Sequence, residues 1–137
     1  MLIRDAQIND YNQIYDLNLK HNLRIPQKKE WEKIWTKNPN FNFTEDRIGW
    51  VIEEKEKIKG FLGYIKKKYT DDEGKEYNGL VSHNWVVDDD CRNMSLILLN
   101  KFFTELKFDF YINSTANLEV AKVWEALGAQ KIPVDNL

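Results

Sequence analysis

The residues able to do chemistry lie in two stretches placed end to end. One is the apolar run Leu80–Val87, interrupted by Ser82, His83 and Asn84; the other is the polar segment Asp88–Ser95 that follows it. An imidazole has an unperturbed pKa of about 6.5, so His83 is read as a general base, acting directly or through a water. Strand alternation puts His83 on the face of Trp85 and Val87 unless a bulge intervenes. A hydrogen-bonded structural histidine is the alternative. Asn84 points the other way and either holds a substrate or serves structure alone. Asp88, Asp89 and Asp90 are adjacent, so they cannot all face one ion; they read as a solvated turn, and no metal site is expected. Cys91 has no histidine nearby in sequence and is not read as a nucleophile. Lys66, Lys67 and Lys68 precede acidic residues and read as a solvated strand end.

These residues need elements to position them. Leu2-Ile3-Arg4 is a short extended start. Asn9 and Asp10 can cap a helix with Tyr11, Ile14, Tyr15 and Leu17 to Leu19 on its apolar positions. Pro26 suits the first turn of a second helix, in which Trp31, Ile34 and Trp35 share a face; Asn38-Pro39-Asn40 stops it. Gly49 to Glu53 and Ile58 to Lys66 are two strands around a polar turn, and Asp71-Asp72-Glu73-Gly74 is the next turn. Leu80 to Val87 is a strand buried on both faces. Met94 to Leu106 is a helix, Phe108 to Ile112 a strand, and Asn117 to Leu127 a helix that Gly128 ends in the left-handed conformation. Gln130 to Val134 is a last short strand. The order β-α-α-β-β-β-α-β-α-β is an α+β pattern turning into α/β. The strand ending at Val87 and the one near Phe108 are joined by a helix and should be parallel neighbours. Ligands commonly bind beyond the carboxyl ends of such strands, near a helix N-terminus.

Composition narrows the function. At 137 residues the chain suits one domain spanning 1–137. A net charge of -2 argues against a nucleic-acid partner. One cysteine excludes an internal disulfide and a multi-cysteine zinc site, and points to the cytoplasm. No apolar run approaches the ~20 residues that span a bilayer, so no membrane role is expected.

Two segments carry a resemblance. Trp85-Val86-Val87-Asp88-Asp89-Asp90-Cys91-Arg92-Asn93-Met94-Ser95-Leu96-Ile97 is similar to the strand-loop-helix "V-x-P-x-Y-R-G-x-G-x-G/A" of the GNAT superfamily of acyl-coenzyme A-dependent N-acyltransferases. Val87 matches the strand end and Arg92 the loop's Arg/Gln. Tyr111-Ile112-Asn113 through Asn117 to Trp124-Glu125-Ala126-Leu127-Gly128-Ala129 resembles that family's "N-x-x-A-x-x-x-Y-E-K-x-G-F". The resemblance covers nearly the whole chain in element order and is specific in the last third. Trp-Val-Val-Asp, Asn-Ser-Thr-Ala-Asn and Lys-Ile-Pro are also similar to bacterial relatives linked to surface-polysaccharide synthesis.

The resemblance implies a GNAT-like mixed sheet, truncated before its last strand, and acetyl-CoA as cosubstrate. It implies backbone groups of Trp85, Val86 and Val87 along the pantetheine arm. Arg92, Asn93, Met94, Ser95 and Leu96 would lie around the pyrophosphate, where a helix start offers unpaired N–H groups. Asn117 and Trp124 would approach the cofactor from the following helix, with capping and packing as their ordinary roles. The acceptor would be a primary amine of a small molecule, such as an amino sugar, attacking directly, with His83 and Asn84 the residues nearest the chemistry. A second copy or a second domain would complete the sheet edge. The family's three loop glycines are here Asn93, Ser95 and Ile97, and Trp124 stands where a tyrosine acid is usual. A GNAT-fold binding or structural module without turnover is therefore the competing expectation.

Overall fold

A computed structural model of the chain describes residues 1–42, 44, 46–113 and 118–130. Five strands, β1 (Leu2–Asp5), β2 (Gly49–Glu54), β3 (Lys57–Thr70), β4 (Glu76–Val87) and β5 (Phe110–Ile112), lie side by side in chain order. The first four pair antiparallel, and β4 pairs with β5 in parallel through Gly79–Phe110, Leu80–Tyr111 and Val81–Ile112. The expected parallel neighbours are thus present, with the helix α3 (Ser95–Thr104) as the crossover. The remaining helices are α1 (Tyr11–Lys20), α2 (Lys28–Thr36) and α4 (Leu118–Ala126). Among the described residues no helix is long and apolar enough to cross a membrane.

Alternation along the strands builds two cores, one per face of the sheet. Val51 and Phe61 face Ile14, Trp31 and Trp35 of α1 and α2. Their chain neighbours Ile52 and Leu62 face Leu98, Leu99 and Phe102 of α3 and Trp124 of α4. The Trp31 ring meets Trp35 edge-on at 4.7 Å and lies against Tyr11 at 5.2 Å. The Trp35 indole donates to the carbonyl of Tyr64 at 2.8 Å, which fixes α2 across the sheet.

Several boundaries differ from those expected. β3 and β4 form a longer ribbon, because the turn sits at Asp71–Lys75 and the polar residues on either side of it still pair, out to Thr70 with Glu76. Pro26 lies before the second helix, whose first residue is Lys28; its carbonyl accepts from the Tyr11 hydroxyl at 2.7 Å. A 3-10 turn, Ile8–Asp10, precedes α1, and Asp10 is held there by Arg4 at 2.9 Å and by the Gln7 amide at 2.8 Å. Gly128 ends α4 at φ +101°, and the Ala129 N–H returns to the Trp124 carbonyl at 3.0 Å. The strand expected over Gln130–Val134 lies outside the described residues except for Gln130.

Candidate active site

Among the described residues the β4–β5 ladder stops at Val81 and Ile112, while β4 continues through Ser82–Val87 with β3 as its one strand partner. This stretch of β4 contains a bulge. Leu62 of β3 faces Trp85, but the next residue, Gly63, faces His83, so Asn84 is the extra residue. Asn84 takes φ +60°, a left-handed conformation that asparagine tolerates better than most side chains. Gly63 makes room for the kink: a Cβ there would stand 2.5 Å from the His83 carbonyl oxygen.

The bulge overturns the expected shared face of His83, Trp85 and Val87. His83 faces the α1–α2 side, where its ring stands edge-on to Trp35 at 5.4 Å. Trp85 and Val87 face the α3–α4 side, and Val86 returns to the first core. The Nε2 atom of His83 is buried and has no hydrogen-bond partner among the described residues. Burial pushes its pKa down to about 4, so the ring is neutral near neutral pH. The Asn84 side chain is engaged with α1: it donates to Asn18 Oδ1 at 2.7 Å and accepts from Asn18 Nδ2 at 3.0 Å. Asn18 is fully buried and also donates to the Ile14 carbonyl at 2.8 Å.

Beyond Val87 the chain enters a 3-10 helix, Asp89–Met94, which runs into α3. Its turns consume backbone donors: the Cys91 N–H goes to the Asp88 carbonyl at 2.9 Å and the Ser95 N–H to that of Arg92. Of the expected row of unpaired N–H groups over Asn93–Leu96, that of Ser95 is therefore already taken. Arg92 is exposed and its guanidinium binds Asp89 at 3.0 and 3.1 Å. Met94 packs partly into the second core, while Leu96 is 57% exposed. Trp124 is buried against Phe102 and Phe103, with ring centroids at 5.6 and 5.0 Å. Its indole N–H and that of Trp85 have no partner among the described residues. Asn117 lies outside the described residues.

Asp88 departs from the expected solvated turn. It is 5% exposed, and its carboxylate meets Lys20 at 2.6 Å, His21 at 3.2 Å and Lys59 at 3.4 Å. These hydrogen bonds, Lys20's foremost, pull its pKa down to about 2. Lys20 and His21 end α1 and Lys59 lies on β3, so Asp88 ties both to the start of the loop. Three adjacent aspartates in sequence do not reveal that only the first turns inward. Cys91 is fully buried, and burial first, Asp90 second, raises its thiol pKa. That environment disfavours a thiolate.

The arrangement is a mixed sheet whose one described parallel pair, β4 and β5, is joined through a loop and α3, with two core helices on the opposite face. This is the GNAT fold. Glucosamine-6-phosphate N-acetyltransferase from Arabidopsis thaliana is similar over 99% of this chain and 95% of its own, with a TM-score of 0.69 at 15% identity. A predicted acetyltransferase from Clostridium acetobutylicum, solved with acetyl-CoA, is similar over 96% of this chain and 90% of its own, with a TM-score of 0.72 at 12% identity. A transcriptional regulator from Bacillus halodurans is similar over 99% and 96%, with a TM-score of 0.70 at 17% identity. No family model and no curated protein matches the sequence. At these identities the likeness extends to the GNAT fold, and activity must be argued from the site.

The β4 edge fits an amide-bearing arm such as pantetheine. Beyond Val81 it has lost its parallel partner among the described residues, and it leads toward a helix start. The loop fits phosphates through fewer groups, chiefly the Arg92 guanidinium and the Ser95 hydroxyl.

Proposed function

We propose that the chain is a GNAT-type N-acetyltransferase that moves an acetyl group from acetyl-CoA to a primary amine of a small molecule. The observation that carries this reading is that, among the described residues, the β4–β5 ladder ends at Val81 and Ile112 while β4 runs on to the loop before α3. The Clostridium neighbour, solved with acetyl-CoA on the same fold, supports it. Acetyl-CoA would supply the thioester acyl group. Backbone groups of Trp85, Val86 and Val87 would lie along its pantetheine arm, with a backbone N–H polarising the acyl carbonyl. Arg92, Asn93, Met94, Ser95 and Leu96 would surround the diphosphate. Asn117 and the Trp124 indole would close the far side.

The amine attacks directly once it has lost a proton. His83, the residue expected as base, is packed against Trp35 with Nε2 buried and its pKa held down to about 4, which argues against that role; a water held by backbone carbonyls of β4 would take the proton in this reading. Asn84 shapes the bulge rather than holding substrate, since its amide is committed to Asn18. The absence of a tyrosine at Trp124 leaves the thiolate to take its proton from water or from the amine. A cytoplasmic location agrees with the single cysteine, and a second copy or domain would cover the sheet edge beyond β5.

Calorimetry with acetyl-CoA, followed by thiol-release assays against a panel of amines that includes amino sugars, tests the proposal. Binding together with amine-dependent thiol release is the expected result. Binding without release on any amine would favour the second reading, a GNAT-fold module without turnover. The loss of loop donors to the 3-10 turns and Ile97 in place of a glycine favour that reading. No binding at millimolar ligand would end both cofactor readings.

A further inference from the structure

At the opposite end of the ribbon, β3 outruns β2. Their ladder begins at Gly49 opposite Gly63, and β3 continues to Thr70. The Tyr64 N–H points away from β4, to the Ile48 carbonyl at 3.0 Å, and the Lys66 carbonyl accepts from Asn38 Nδ2 at 2.8 Å. In an antiparallel ribbon these outward groups recur at every second residue, so Lys68 and Thr70 present theirs on the same edge. Among the described residues no strand pairs with that edge beyond Tyr64.

Beside it lies a groove of about 520 Å³ between Lys66 and Lys68, which alternation puts on the α3 face, and the turn Leu106–Phe108 that follows α3, with Pro39 and Asn40 also in its wall. Four lysines line the groove, Lys66, Lys67, Lys68 and Lys107, and no carboxylate does. Lys66 is ion-paired with Asp46, while Lys67, Lys68 and Lys107 have no ion pair among the described residues. On a chain with net charge -2, this is a local excess of one sign.

We propose that the outer edge of β3 over Lys66–Thr70 docks an extended acidic peptide as an added strand. The main-chain groups left on that edge, the Lys66 carbonyl being held by Asn38, would supply hydrogen bonds, and Lys68 and Lys107 would select the side chains. Lysine on an open edge deters pairing with neutral or basic strands, because each added strand must bring its side chains beside the ammonium groups. It deters self-pairing for the same reason, since two copies joined at this edge would set Lys66–Lys68 against the same residues. A strand with glutamate at every second position meets no such repulsion and places its carboxylates on one face, toward Lys68 and Lys107.

The test titrates the whole chain, labelled with 15N, with a blocked peptide of about seven residues alternating Glu and Val. Binding is expected to shift and protect the amides of Lys66, Lys68 and Thr70, and to weaken as salt is raised. Replacing glutamate by lysine in the peptide should abolish binding, and N-methylation of alternate peptide amides should weaken it by about tenfold or more. The double variant Lys68→Glu with Lys107→Glu, its fold checked by its amide spectrum, should lose binding to a similar degree. The proposal is overturned if the N-methylated peptide or inorganic polyphosphate binds as well as the parent peptide. Shifts confined to another surface, or no binding at low salt, would also overturn it.

Discussion

Asn18 and Asn84 exchange two amide hydrogen bonds, at 3.0 and 2.7 Å, across the junction of α1 and the β4 bulge. The pair is what fixes a left-handed residue inside a strand, because the Asn18 amide is fully buried and has one other partner, the Ile14 carbonyl. Removing one member leaves the other buried with unmet hydrogen-bonding capacity. Asn18→Ala should therefore cost about 1–3 kcal/mol in denaturant unfolding. At position 84, glycine keeps the conformation and loses only the amide, whereas valine adds strain of roughly 1–2 kcal/mol. The expected stability order is native above Asn84→Gly above Asn84→Val. Equal midpoints for the two variants would mean that the left-handed conformation at 84 does not constrain the strand.

His83 gives a pH prediction for stability. Its folded pKa is about 4, below the ordinary value of 6.5, so the unfolded chain binds the proton more readily. This contribution to stability is full above about 6.5 and is lost as pH falls toward about 4. With the ring only partly enclosed, the loss should be about 1–2 kcal/mol. His83→Gln removes that dependence, so its denaturation midpoint should vary less than the native chain's between neutral pH and pH about 4.5. If turnover is found, a pH limb that survives in His83→Gln belongs to the amine and not to this buried ring.

Asp88 acts in a lower window. Its folded pKa of about 2 lies below the ordinary 3.8, so its contribution is present above about 4 and is lost as pH falls toward 2. Asp88→Asn should cost about 1–3 kcal/mol at neutral pH, less than a fully enclosed pair would, because Lys20 is 63% exposed. The variant should also lack the native chain's additional fall in stability below pH 4, as read by acid titration at fixed denaturant. Lys20→Ala should matter less than Asp88→Asn, since water can replace an exposed ammonium more readily than a buried carboxylate.

How far the sequence reaches is clear from these residues. The two-faced apolar run Leu80–Val87 and the helix after it were enough to predict the parallel pair of β4 and β5. Burial on both faces and a right-handed crossover leave little choice for such a segment. The bulge was not legible, because a single Asn between His and Trp carries no period signal, and its partner Asn18 is 66 positions away. The inward turn of Asp88 depends on Lys20, His21 and Lys59 arriving from two other elements, which no local pattern encodes. The missing loop glycines are visible in the sequence, but the 3-10 turn over Asp89–Met94 that takes up backbone donors is not.

The cofactor loop supplies a prediction with two opposed arms. Arg92 lies three residues before the first residue of α3, yet its guanidinium already binds Asp89, and both side chains are mostly exposed. An anion arriving at the loop must compete with that carboxylate for the same donors, and the Asp89 charge repels it as well. Arg92→Ala should weaken acetyl-CoA by a modest factor, about 1 kcal/mol or less, because an exposed pair contributes little. Asp89→Asn should do the opposite: it frees the guanidinium, removes one negative charge beside the ligand's phosphates, and tightens binding by a similar amount. In the double variant the Asp89 substitution has no guanidinium left to free, so its gain should shrink to the repulsion term alone. Calorimetry on the four proteins at low and at physiological salt reads all of this, and the differences should narrow as salt rises. If both single variants bind acetyl-CoA as the native chain does, the diphosphate does not sit at this helix start. The β4 edge would then have to be probed separately, with a pantetheine fragment that carries no phosphate.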